Sequence, residues 1–231
     1  MENHLMKQAV NLVESWRYKY GTDKALCAFV EQWAFEFTGR YPASETFISD
    51  PEFTEPAHKL SELLGEMMLG GIEDPIAYLY CHSCPSFSKQ YGFYPTPSGL
   101  VRLMNVLLVD GTHHQDVDVN VPPTLRLYEP TVGSAGMILQ QLERICERHS
   151  GCANALQNVE IVVEDVNRYA IHAFLIQYCF KIAYLQRYFG KDTCPKCVTI
   201  SQCNTLSREK GPVQYHMASP TTAKEAQQYE N

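Results

Sequence analysis

The chain has 231 residues, of which 45% are hydrophobic and 19% charged, enough for one large domain or two small ones with a sizeable core. That composition excludes a disordered chain, and a formal net charge of -7 gives no support to a broad DNA-binding face, whose affinity comes largely from cations that neutralise phosphates. No apolar run is long enough to cross a bilayer and "MENHLMKQAV" has no secretory pattern, so the expectation is a cytoplasmic protein with no membrane partner.

Residues 1 to 90 read as a helical region. "HLMKQAVNLVESWRYKY" places Leu5, Ala9, Leu12, Val13 and Trp16 at helical spacing. "TDKALCAFVEQWAFEFTG" follows, with Thr22 or Asp23 as the N-cap and Gly39 past the end. The prolines of "YPASETFISDPEFTEP" predict a loop, after which "AHKLSELLGEMMLGG" resumes helical periodicity and stops at Gly70 and Gly71. Trp16, Trp33 and the paired methionines are expected in the core.

From about residue 91 the pattern changes. "TPSGLVRLMNVLLVD" predicts a helix capped by Thr96 or Ser98, and "GTHHQDVDVNVPP" a polar loop whose adjacent histidines lack the spacing of metal ligands. Strand "TLRLYEP", helix "SAGMILQQLERICERH", strand "VEIVVEDV", helix "NRYAIHAFLIQYCFKIAYLQRYF" and strand "VTISQCNTL" then alternate. Within the first of these helices Met137, Leu139, Leu142 and Ile145 can face inward. Strand-helix-strand alternation implies parallel strands, an α/β fold of doubly wound type. Residues 208 to 231, polar and rich in turn formers, are expected to be irregular.

Nine cysteines is an odd number, so complete internal pairing is impossible, and the expected compartment favours thiols. Cys81 with Cys84 and Cys194 with Cys197 form two CxxC pairs that together could hold a structural zinc. Their wide separation is unlike that of a compact zinc site, and reduced cysteines in loops and core are the simpler expectation.

The turn between "LYE" and "GMIL" is the chain's main functional signal. Gly133 and Gly136 flank Ser134 and Ala135 where a strand gives way to a helix, a place where a ligand can approach the backbone. The next strand ends in acidic Glu164 and Asp165, suited to ribose hydroxyls. Acidic Glu129 just before the turn disfavours a pyrophosphate and admits a cationic or zwitterionic ligand.

The ordered segments "GFYPTPSGLVRLM", "LYEPTVGSAGMIL", "VVEDVNRYAIHAF" and "ISQCNTL" resemble the S-adenosylmethionine half of adenine-specific DNA methyltransferases, above all the modification subunits of type I restriction systems. The resemblance spans roughly residues 91 to 207. It departs from the family's D-P-x-x-G-x-G turn at Glu129 and at Ala135, which stands in place of a glycine. It implies a Rossmann-like methyltransferase core, a partial parallel sheet flanked by helices, preceded by the N-terminal helical region. It implies S-adenosylmethionine as cofactor: Tyr94, Thr96 and Pro97 flanking its methionine end, and Glu129 taking its amino group. Gly133, Ser134 and Gly136 would permit close approach, Asp165 would hold the ribose and Asn204 would meet the adenine amine. Asp165 and Thr96 have simpler alternatives as helix caps.

The family's catalytic (N/D/S)-P-P-(Y/F/W) segment, which receives the flipped base, does not occur after Asn204. The one Pro-Pro is Pro122-Pro123, ahead of the cofactor turn. Three functions stay open: a non-catalytic relative that binds the cofactor or keeps the fold and acts through a partner, one half of a split methyltransferase, and an active adenine methyltransferase of a restriction-modification or phage system with a different catalytic segment. In the family's sheet the first strand is central. Here it is expected at an edge, which implies a homodimer or a partner subunit.

Overall fold

The computed structural model describes residues 2–84, 93–107 and 118–220. Two compact units make up the chain. The helical unit comprises Met1–Pro95, Gly133–Ala135 and Tyr169–Lys181, and the sheet unit Thr96–Val132, Gly136–Arg168 and Ile182–Asn231.

In the helical unit, α1 (Glu2–Glu14), α2 (Thr22–Thr38), α3 (Glu45–Ile48), α4 (Pro51–Leu69) and α5 (Pro75–Ser83) surround an apolar core. The inward stripe of the first segment is Met6, Ala9, Val13 and Trp16, with Leu5 and Leu12 half-buried. Trp16, Trp33, Met67 and Met68 are buried as expected. Gly39 adopts the left-handed conformation that ends α2 and donates its N–H to the Phe35 carbonyl. Gly21 occupies the N-cap, so neither Thr22 nor Asp23 caps that helix.

The expected loop over residues 41 to 56 is corrected. Asp50 caps α4 by accepting the Glu52 N–H at 3.0 Å, and Pro51 takes the first helical position, where its missing N–H costs nothing. Pro56 therefore lies inside the helix, where it removes the N–H that would have met the Glu52 carbonyl.

The sheet unit carries α6 (Ser98–Asn105), β1 (Leu125–Glu129), α7 (Gly136–Arg148), β2 (Val159–Asp165), β3 (Cys197–Cys203) and β4 (Lys210–Ala218). The 22-residue α8 (Arg168–Phe189) supplies residues to both units. The fold is α/β with a four-stranded, mostly parallel sheet in the order β1-β2-β3-β4. Register runs from Leu125 opposite Val159 to Glu129 opposite Val163, and from Glu160 opposite Cys197 to Asp165 opposite Gln202. Val159, Ile161, Val163, Val198 and Ile200 are fully buried, as near-continuous apolar parallel strands require.

Three further expectations are corrected. Residues 210–218 are not irregular: they form β4, antiparallel to β3, with Val213 and Tyr215 buried and Pro212, Gln214 and His216 exposed. The Gly and Pro residues that suggested a loop are tolerable because β4 ends the sheet order, where a missing N–H need not break a ladder. Pro97, not Thr96 or Ser98, holds the cap position of α6, with no side-chain cap bond. The inward face of α7 is Ile138, Gln141, Leu142, Ile145 and Cys146, while Met137 and Leu139 are half-buried. As expected, β1 ends the sheet order and has β2 as its one neighbour among the described residues. The tail's strand joins the opposite end, beside β3.

Candidate functional site

Parallel strands deliver their carboxyl ends to one edge of a sheet, where α/β proteins commonly bind ligands. Glu129 is the last residue of β1 and Asp165 the last of β2, on adjacent strands. The structure thus brings together two of the acids singled out from sequence, closely enough that the Asp165 charge disfavours ionisation of Glu129.

Glu129 is only 8% exposed. Burial, above all, pushes its carboxyl up to about 8; the Ile138 N–H it accepts works against this and Asp165 adds to it. Ile138 is the third residue of α7, so one carboxyl oxygen takes an N–H that the first helical turn leaves unpaired. The other oxygen, Oε2, is buried with no hydrogen-bond partner among the described residues. A buried acceptor without a donor is uncommon in a folded protein.

Asp165 is half-buried, and its Oδ1 accepts the Asn167 N–H at 2.8 Å just ahead of α8. That bond closes a turn before α8 and reaches none of the helix's own N–H groups, so it is not the cap expected as the simpler alternative. Beside it, Glu164 is buried and accepts hydrogen bonds from the two terminal nitrogens of the Arg208 guanidinium, at 2.7 and 2.8 Å, and from the Tyr128 hydroxyl at 2.7 Å. These donors, with Arg208 foremost, hold Glu164 below the usual carboxylate range. Arg208 sits in the β3–β4 connection at φ 61°, and its reach ties that connection to the ends of β1 and β2.

Asn204 lies in the same connection and is exposed. Its Oδ1 accepts the N–H groups of Leu206 and Ser207 at 3.1 and 3.2 Å, and its carbonyl accepts Arg208 N–H at 2.7 Å. It shapes a turn, an ordinary task for asparagine. Thr96 and Pro97 are exposed, and Gly136 opens α7.

The remaining three residues belong to the helical unit. Tyr94 is exposed. Gly133 has φ 55°, and Ala135 has φ 102°, a left-handed backbone that favours glycine, at the position where the resembled family carries one. Ser134 is buried and donates its hydroxyl to Asp74 Oδ2 at 2.8 Å. Gln177 of α8 donates to Asp74 Oδ1 at 2.9 Å and to the Ser134 carbonyl, while Ala77 N–H caps the same Oδ1 at 3.2 Å. Burial raises the Asp74 carboxyl, opposed by these three donors.

Sequence reasoning missed Asp74, Gln177, Tyr128 and Arg208. Asp-Pro at 74–75 is a helix-start signal that identifies Asp74 as a cap. A lone glutamine within the apolar stretch of α8 signals a buried polar contact without naming its partner.

All nine cysteines are free thiols, and among the described residues no group of three or more His, Cys, Asp or Glu side chains could hold a metal ion. Cys81 and Cys84 belong to the helical unit, Cys194 and Cys197 to the sheet unit. His113, His114 and Asp116 lie outside the described residues. No helix among the described residues is long and apolar enough to cross a membrane. Comparison with family models, with curated proteins and with solved structures found no match to this chain.

Proposed function

We propose that the protein binds S-adenosylmethionine at the carboxyl ends of β1 and β2, and acts through a protein partner rather than transferring the methyl group by itself. The observation that carries this is Glu129, buried at the end of β1 with an unpartnered Oε2. An ammonium group would supply the missing donor and favour the ionised acid, a charge-assisted bond stronger than a neutral one. Asp165, at the next strand end, would receive the ribose hydroxyls. The resemblance in four ordered segments points to the same ligand. The missing base-binding tetrapeptide supports a methyltransferase-like protein without autonomous activity, and the terminal position of β1 in the sheet supports a homodimer or a partner subunit.

Calorimetry with S-adenosylmethionine and with its demethylated product tests the site. Saturable binding is expected, weakened by Asp165→Ala by roughly 1.5–3 kcal/mol, the worth of hydrogen bonds to a charged group. No heat at millimolar ligand would sink the proposal. Transfer of labelled methyl groups to adenine-containing DNA by the purified chain, lost in Asp165→Ala, would instead favour the active methyltransferase. A solution mass near the 26.3 kDa of one chain, with no partner recovered, would remove the assembly part.

A further inference from the structure

The helical unit contains a second feature that the proposed cofactor site does not use: a cavity of about 250 Å³ walled by α2, α3 and α4. Its apolar wall includes Phe29, Trp33 and Phe53. The rings of Phe29 and Trp33 lie 5.3 Å apart and tilted, and Phe53 is fixed between Trp16 and Phe47, each 5.1 Å away. These rings are held by one another, so the wall is formed before any ligand arrives. A smaller apolar cavity, about 150 Å³, already suffices for a benzene-sized molecule.

Two polar groups mark what chemistry the cavity takes. Gln32 lines it, and its Oε1 is buried with no donor among the described residues. Glu36, one helical turn further along α2, also lines it; it is exposed, and no cation pairs with it among the described residues. The basic side chain among the lining residues, His58, contacts Glu62 at 3.3 Å. A carbonyl that lacks a donor, a carboxylate that lacks a cation and aromatic faces are complementary to one type of group. That group is an ammonium on an apolar stem: it donates hydrogen bonds, carries positive charge and is attracted to the negative face of a ring. An anion would meet Glu36, and a neutral hydrocarbon would leave Gln32 Oε1 unsatisfied.

We infer that this cavity is a binding site for an organic ammonium with an aryl or alkyl stem, its charge at Glu36 and Gln32 and its stem against Phe29 and Trp33. The same chemistry is offered by a free amine and by a lysine side chain of a protein.

The test is a titration of the full chain with 2-phenylethylammonium, followed through the two tryptophan indole N–H resonances, with Trp33→Phe assigning them. The Trp33 signal should shift saturably, with half-saturation at about 1 mM or below, and the Trp16 signal should respond less. Glu36→Gln, at an exposed position, should weaken binding about tenfold, as should Gln32→Leu. Neutral 2-phenylethanol and anionic phenylacetate should each bind at least about tenfold more weakly than the amine. Lysinamide matching the amine would assign the site to a protein-borne lysine; lysinamide binding much more weakly would assign it to a small amine. No saturable shift, equal binding of 2-phenylethanol, or full affinity in both variants would overturn the inference.

Discussion

Asp74 of the helical unit and Glu129 of the sheet unit are both carboxyls that burial drives toward the neutral form, yet their surroundings differ. Asp74 has a donor for each oxygen: Ser134 on one, Gln177 and Ala77 on the other. Glu129 has the Ile138 N–H on one oxygen and, among the described residues, no donor on the other. Desolvation alone therefore does not distinguish a structural acid from a ligand-binding one. Satisfaction of the remaining lone pairs does, because a complete set of donors leaves no reason for a ligand to enter.

The largest effect is expected where the network is complete. Asp74→Ala leaves the Ser134 hydroxyl, the Gln177 amide and the Ala77 N–H without their acceptor, and should cost about 3 kcal/mol. Urea denaturation measures it, and a loss within experimental error of zero would show that Asp74 is no more of a structural centre than Glu129.

Glu129 should behave in the opposite way. Its folded value of about 8 lies above its ordinary 4.5, so the folded protein keeps a proton that the unfolded chain releases between those values. Its contribution to stability is complete below about pH 4.5, declines as pH rises, and has gone above about pH 8. Glu129→Gln should flatten that decline and be more stable than the parent at pH 9 by up to about 5 kcal/mol. Denaturation curves at pH 5 and pH 9 decide this, and parallel losses in the two proteins would refute it. Binding of S-adenosylmethionine, under the function proposed above, should strengthen as pH rises toward 8. The Gln variant should lose that dependence, since its side chain has no proton to release.

The smallest effect concerns the turn that Asp74 holds through Ser134. Ala135 carries a Cβ at φ 102°, so Ala135→Gly relieves backbone strain and should stabilise the protein by about 1 kcal/mol. That gain is reduced by the greater freedom of glycine in the unfolded chain. Thermal unfolding checks it: a lower melting temperature in the variant would mean that the network tolerates the alanine without strain.

Much of the α/β order was legible in the chain, because helical and strand periodicity are local. "VEIVVEDV" and "VTISQCNTL" are apolar runs with few other ways to be buried, and they emerge as β2 and β3 within a few residues of the expected bounds. The acids at the ends of β1 and β2 were legible for the same reason, since a strand's end fixes where its last side chain lies. β4 was not. Its Lys, Gly and Pro opening reads as a loop, and only pairing with β3, which it meets through Asn204's turn, makes it a strand.

The sequence by itself determined α1, α2 and the body of α4, but not α3, the start of α4 or α5, along with the alternation after β1 and the placement of Glu129 and Asp165 at strand ends. It also determined that Gly39 ends α2, because a helix stop depends on near neighbours in the chain. Only the tertiary structure decided that Asp74 meets Ser134 60 positions away and Gln177 103 positions away. Such contacts follow from how the chain closes over long loops, and no local pattern encodes them. The state of Glu129 belongs to the same class: its identity is a matter of sequence, but its burial, its single donor and its raised proton affinity come from atoms that folding brings around it.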